Sequence, residues 1–138
     1  MGNRMIHYSV YTQSNPLNRD EKAKTYAKSQ IIRRCSLDEF ALIVSRHGGF
    51  SKGLVKGVLS DVSTCLAALL LEGAKVDLGE LGSFYVSLSC EGAASPAAFT
   101  PKHIKAVKAQ FIPGEDLNNL TKRAEFKLAI NRTLQKMH

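Results

Sequence analysis

Residues 78–92 read LGELGSFYVSLSCEG, and the rest of the chain is best read outward from them. Gly79 and Gly82 mark a tight corner, since glycine reaches backbone angles closed to other residues. SFYVSLS then alternates. Phe84, Val86 and Leu88 share one face of a predicted strand, and Tyr85, Ser87 and Ser89 share the other. The strand runs on into CEGAASPAAF, a series of small residues without Lys or Arg and with one acid, Glu91. The corner thus opens a half-buried strand whose far end lacks positive charge.

Upstream of the corner the hydrophobic period is helical. SLDE at 36–39 forms a capping box, with Ser36 placed to accept from the Glu39 backbone. Leu37, Phe40, Ala41 and Val44 mark one face of a short helix, and RHGGF supplies glycine for its left-handed cap. A second helix starts after Ser51 as N-cap and runs to about Glu72. Its apolar stripe, Val55, Val58/Leu59, Val62, Leu66 and Leu69/Leu70, is wide for a two-helix hairpin. An ordinary core accommodates that stripe; burial against a second copy of the chain accommodates it better.

Downstream, residues 91–101 are small and turn-like, HIKAVKAQFIPG forms a returning strand, and Pro113-Gly114 ends it. The last stretch, EDLNNLTKRAEFKLAINRTLQ, opens with acids that suit a helix N-terminus, with Leu117, Leu120, Ala124, Leu128 and Ile130 as its apolar side. Before the helices, residues 5–12 and 24–34 alternate as strands across the basic, turn-rich link NPLNRDEK. They are predicted to form a β-hairpin, which must dock on something because a lone hairpin is marginal in water.

The 138 residues and 44% hydrophobic content allow one domain or a small domain with extensions. The net charge of +7 favours an anionic partner. Its distribution is uneven: +5 over 1–35, −2 over 36–81, +2 over 82–114 and +2 over 115–138. Cys35, Cys65 and Cys90 show no CxxC spacing and are read as reduced thiols of a cytoplasmic protein. The four histidines are scattered, so neither a metal nor a cofactor is implied. MGNRMIHYS carries no long apolar segment of a secretion signal, and CLAALLL at 65–71 is too short to span a bilayer. No carboxylate pair, Ser/His/Asp set or phosphate-cradling loop points to an enzyme or a small-molecule substrate; Asp77 and Glu80 suit turn and surface roles.

Three motifs in order give the chain a relative. FSKGLVKGVL at 50–59, LLEGAKVDLGELGSFYV at 70–86 and FIPGEDL at 111–117 together resemble the HU and integration host factor family of histone-like DNA-binding proteins. The resemblance covers about residues 36–122, and the longer chain is similar to HU-related proteins with an added N-terminal segment. It implies an α+β fold and an intertwined homodimer: a base of helical hairpins, a three-stranded β-saddle with projecting arms, and a C-terminal helix. To this are added a basic N-terminal β-hairpin (1–35) and a basic helical tail (123–138). It also implies a nucleoid partner, double-stranded DNA, bound without sequence preference through phosphates and the minor groove and bent or compacted.

Under that resemblance the DNA-contacting candidates are Lys102, His103, Lys105 and Lys108 on the returning strand, with Lys108 sharing a face with Ala106 and Gln110. Lys52, Lys56 and Ser51 at the start of the second helix are candidates for holding a phosphate. Pro96, twelve residues past Phe84, falls near a family tip proline, yet the Arg-Asn-Pro motif is missing; it is a wedge or an ordinary loop proline. The uncharged outgoing arm predicts weaker or differently placed DNA binding, which the basic residues of the extension (Arg19, Lys22, Lys24, Lys28, Arg33, Arg34) can offset. The competing reading is an HU scaffold kept as a protein-interaction module.

Overall fold

The computed structural model describes residues 4–18 and 20–129. Of the residues named above, Arg19 and Ile130 lie outside the described residues, as does the end of the predicted tail from 130 to 138. In chain order the elements are β1 (Met5–Gln13), β2 (Lys24–Gln30), α1 (Leu37–Gly48), α2 (Lys52–Leu71), β3 (Val76–Asp77), β4 (Gly82–Cys90), β5 (Ile104–Pro113), two single-turn helices α3 (Glu115–Asn118) and α4 (Leu120–Arg123), and β6 (Glu125–Leu128). They fall into two compact units, one drawn from Met1–Cys35 and Thr121–His138, the other from Ser36–Leu120.

In the larger unit, Ser36 caps α1 by accepting from the Glu39 N–H, and Ser51 caps α2 by accepting from the Leu54 N–H, each at 3.1 Å. Gly49, at φ +76, closes α1 and donates its N–H to the Ser45 carbonyl. The two helices form a hairpin in which Ala41 is fully buried, with Val55 and Leu70 nearly so. Val55, Leu59, Leu66 and Leu70 recur at helical spacing on one side of α2. Beside them a second stripe, Leu54, Val58, Cys65 and Leu69, is left exposed. By length and composition α2 is also apolar enough to cross a membrane. The 65–71 run understates that helix, because alternating Val, Leu and Gly extend its apolar character back to Gly53.

The LGELG corner is built from backbone contacts. Asp77 accepts from the Gly79 N–H at 2.8 Å, and the Leu78 N–H donates to the Gly82 carbonyl at 2.8 Å. Gly82 has φ +139, and a Cβ there would run into the Ile112 carbonyl and lie 2.7 Å from the Phe111 ring. Gly114 faces it: its N–H donates to Leu81 O at 3.0 Å, and a Cβ would collide with the Glu80 carbonyl. The LGSF and FIPG motifs, 30 residues apart, are therefore two sides of one close approach. From this corner β3, β4 and β5 form an antiparallel sheet in the order β3-β4-β5. Phe84 lies opposite Phe111 and Ser87 opposite Lys108, with a register shift at Ser89/Cys90.

The smaller unit is a second three-stranded sheet, ordered β2-β1-β6. The hairpin pairs β1 with β2 antiparallel, Tyr11 opposite Tyr26, and its third strand is β6, parallel to β1 with Ile6 opposite Phe126. This corrects two expectations. The last stretch is not one C-terminal helix but two single turns followed by a strand, and the tail past residue 123 is not helical where it is described. EFKL alternates as well as it spirals, and the open edge of β1 supplies backbone hydrogen-bond partners for it in place of water.

Candidate nucleic-acid interface

The β3-β4-β5 sheet separates its side chains by chemistry. One face carries Phe84, Val86 and Leu88 from β4 with Val107, Ala109 and Phe111 from β5; the Phe84 and Phe111 rings meet at 5.0 Å. The other carries Tyr85, Ser87 and Ser89 with Ala106, Lys108 and Gln110. On that polar face Gln110 Nε2 donates to Ser87 Oγ at 3.0 Å, which fixes the neighbours of the exposed Lys108. A sheet face with hydroxyl, amide and ammonium donors suits phosphate oxygens.

Of the remaining candidates, all but Lys102 and Pro96 are already engaged by other side chains or caps within the chain. Lys105 Nζ lies 2.9 Å from Glu91 Oε1, so the only acid of the outgoing arm sits on the returning strand's lysine. His103 accepts the Thr100 N–H at Nδ1 at 3.1 Å and stacks on Phe99 at 5.1 Å. Lys102 is exposed on the same 3-10 turn, Pro101–His103. Lys52 and Lys56 both reach Asp38 Oδ1, at 3.0 and 3.3 Å. Hydrogen bonds from Lys52 first, then Lys56, hold the Asp38 carboxyl below its ordinary value. Ser51 is occupied as the cap of α2. These contacts tie α1 to α2 at their starts and leave Lys108 and Lys102 as the arm cations outside any ion pair among the described residues.

The arm is short. The strand β4 stops at Cys90, and the Glu91 N–H donates to the His103 carbonyl at 2.8 Å, closing the loop at its base. Within the loop, Pro96 is the first residue of a 3-10 turn, Pro96–Ala98, capped by Ser95, whose Oγ accepts from the Ala98 N–H at 3.2 Å. Two prolines and a run of Gly and Ala cannot sustain a long ladder, since proline donates nothing and small residues pack nothing across it.

Comparison with known proteins then places the chain. A family model described as "HU domain fused to wHTH, Ig, or Glycine-rich motif" matches residues 5–128. The chain belongs to this HU-HIG family. The match takes in β1, β2 and β6 as well as the HU-like core, so it extends beyond the 36–122 that the sequence motifs mark. Among curated proteins none matches. A solved structure titled a "Putative bacterial DNA binding protein", from Bacteroides vulgatus, shares the fold at a TM-score of 0.63 and 11% identity. The likeness covers 90% of this chain and 48% of that one, so the chain spans about half the length of its structural relative.

In this HU-HIG chain the structure draws attention to residues that the sequence alone leaves in the background. Alternation marks Gln110 only as a neighbour of Lys108, although the spacing already puts both on one face. Phe99 is the only large side chain among the small residues of the arm, and it forms the loop's stacking partner. Tyr11 and Tyr26 fit their strands by propensity; their cross-strand pairing becomes visible only with the register.

Proposed function

We propose that this HU-HIG chain is a histone-like architectural protein that binds duplex DNA as a homodimer, with little sequence preference, and bends or compacts it at the nucleoid. The observation that carries the reading is the two-faced β3-β4-β5 sheet, with Lys108, Gln110 and Ser87 aligned on the polar face. Such a face meets phosphates, and the Gln110 amide on it is already engaged by Ser87, which favours backbone and shape recognition over sequence readout. The bare stripe on α2 supports the homodimer, because the described residues bury very little apolar surface in the single chain. In this reading Lys102 and Lys108 supply the arm's phosphate contacts, while Lys105, Lys52 and Lys56 contribute only when they leave Glu91 and Asp38. Pro96 and Phe99, both exposed at the loop, are the side chains available to wedge a base step.

A second reading has its own support. The closed, short arm and the three paired lysines suit an HU scaffold used mainly for protein contact, with weakened DNA binding. A salt-titrated gel shift with random duplex, beside nicked and kinked duplexes, separates the two. The architectural reading expects binding at low salt, with a log–log slope that falls by about 0.9 for each phosphate that Lys108→Ala no longer neutralises, or about 1.8 per dimer. No duplex binding by the parent protein at low salt refutes it and leaves the interaction module.

A further inference from the structure

The β2-β1-β6 sheet is as two-faced as the first. Ile6, Tyr8, Val10, Ala27, Phe126 and Leu128 share its apolar face. The opposite face carries Lys24, Tyr26 and Lys28 from β2, Tyr11 from β1 and Lys127 from β6. Tyr11 and Tyr26 sit directly opposite each other, their ring centroids 5.8 Å apart at 30°, and each is 46% exposed. On β2 the two lysines flank the tyrosine at two-residue spacing, about 7 Å on either side. None of the three lysines enters an ion pair among the described residues. The one acid on the face, Glu125, lies at its far end opposite Met5. At the hairpin end the face runs into an open recess of about 320 Å³ lined by Gln13, Asn15, Pro16, Lys22, Lys24 and Tyr26, among others. Glu21 at that recess accepts from Asn15 Nδ2 at 2.9 Å.

We propose that this face is a second nucleic-acid site, for single strands. An exposed tyrosine pair offers ring faces to unpaired bases, and a duplex, whose bases are stacked inside, cannot use them. Lysines on both sides of the pair meet the phosphates before and after a stacked base, and the recess takes a further base beside Lys22. The charge selects a polyanion, and the rings select one with free bases. The site is separate from the duplex surface proposed above and does not depend on it.

The test uses the full chain and labelled oligo-dT and oligo-U of roughly 12 nucleotides, within the site sizes of single-strand binders. The two oligomers distinguish DNA from RNA as the source of the same chemistry. With four tyrosines and no tryptophan, quenching of intrinsic tyrosine fluorescence reports stacking directly. Tyr11→Leu/Tyr26→Leu is expected to weaken single-strand binding by about tenfold or more, and to reduce the quench, while duplex binding is unchanged. Lys24→Gln/Lys28→Gln leaves the rings in place and is expected to lower both affinity and salt slope for the single strand. Lys108→Ala is expected to weaken only the duplex. Circular dichroism checks that each variant keeps its fold; should the tyrosine variant lose it, the lysine variant carries the test. Single-strand binding that is absent in the parent, unchanged in a folded double variant, or lost together with duplex binding in Lys108→Ala overturns the proposal. Loss of duplex binding alone in the parent refutes the architectural reading and leaves this site standing.

Discussion

The bare stripe of α2 sets the sharpest expectation. Leu54 is 54% exposed, Val58 51% and Leu69 40% in the single chain. Complete burial of such a side chain contributes about 1.5–3 kcal/mol, so each retains roughly 1 kcal/mol to be gained on covering. Three positions in each of two copies therefore offer about 6 kcal/mol, only about the low end of an association cost of roughly 4–15 kcal/mol, so a stable dimer also has to cover neighbouring apolar side chains such as Val62 on α2 and Phe40 and Ile43 on α1. Val58→Ala should forfeit about 1 kcal/mol per copy, or roughly 30-fold in the dissociation constant of the dimer. Val58→Asp should do more, because an unpaired carboxylate is costly to bury. Sedimentation velocity over a dilution series, with thermal melts at each concentration, reads both effects. The parent should melt at a temperature that rises with concentration, and Val58→Asp should lose mass and helicity together. A parent that stays a folded monomer on dilution, or a Val58→Asp protein with unchanged mass and melting, refutes the reasoning.

Other perturbations address single contacts. Gly82→Ala places a Cβ against the Ile112 carbonyl at a left-handed φ and should cost about 4 kcal/mol in a thermal or denaturant melt, whereas Gly92→Ala, in open space, should be near neutral. Asp38 titrates lower in the folded chain than its ordinary 3.8, so its contribution is complete above that value and is lost as pH falls through and below it. Asp38→Asn should flatten acid unfolding in that range; by releasing Lys52 and Lys56 it should also steepen the salt dependence of duplex binding. Glu91→Gln frees Lys105 and should add about 0.9 to the slope for each newly neutralised phosphate, visible in the same gel shift.

What the sequence determined by itself is what local chemistry encodes. The capped helices, the LGELG corner and the N-terminal hairpin were legible because Ser36, Ser51, Asp77 and the glycines act within a few residues of themselves. Alternation likewise put Lys108 and Gln110 on one face. The family motifs were legible too, though not the fact that Gly82 and Gly114 touch. Only the tertiary structure decided the rest, because the deciding partners are distant in sequence. EFKL becomes β6 because the edge of β1, some 120 residues earlier, is there to pair with it. Tyr11 becomes a stacking surface when register sets Tyr26 opposite it. Five lysines look alike in sequence, yet Lys52, Lys56 and Lys105 find carboxylates at 3.0, 3.3 and 2.9 Å, and Lys102 and Lys108 find none among the described residues. A charge is fixed by the residue type; whether it is available to a phosphate is fixed by what folds beside it.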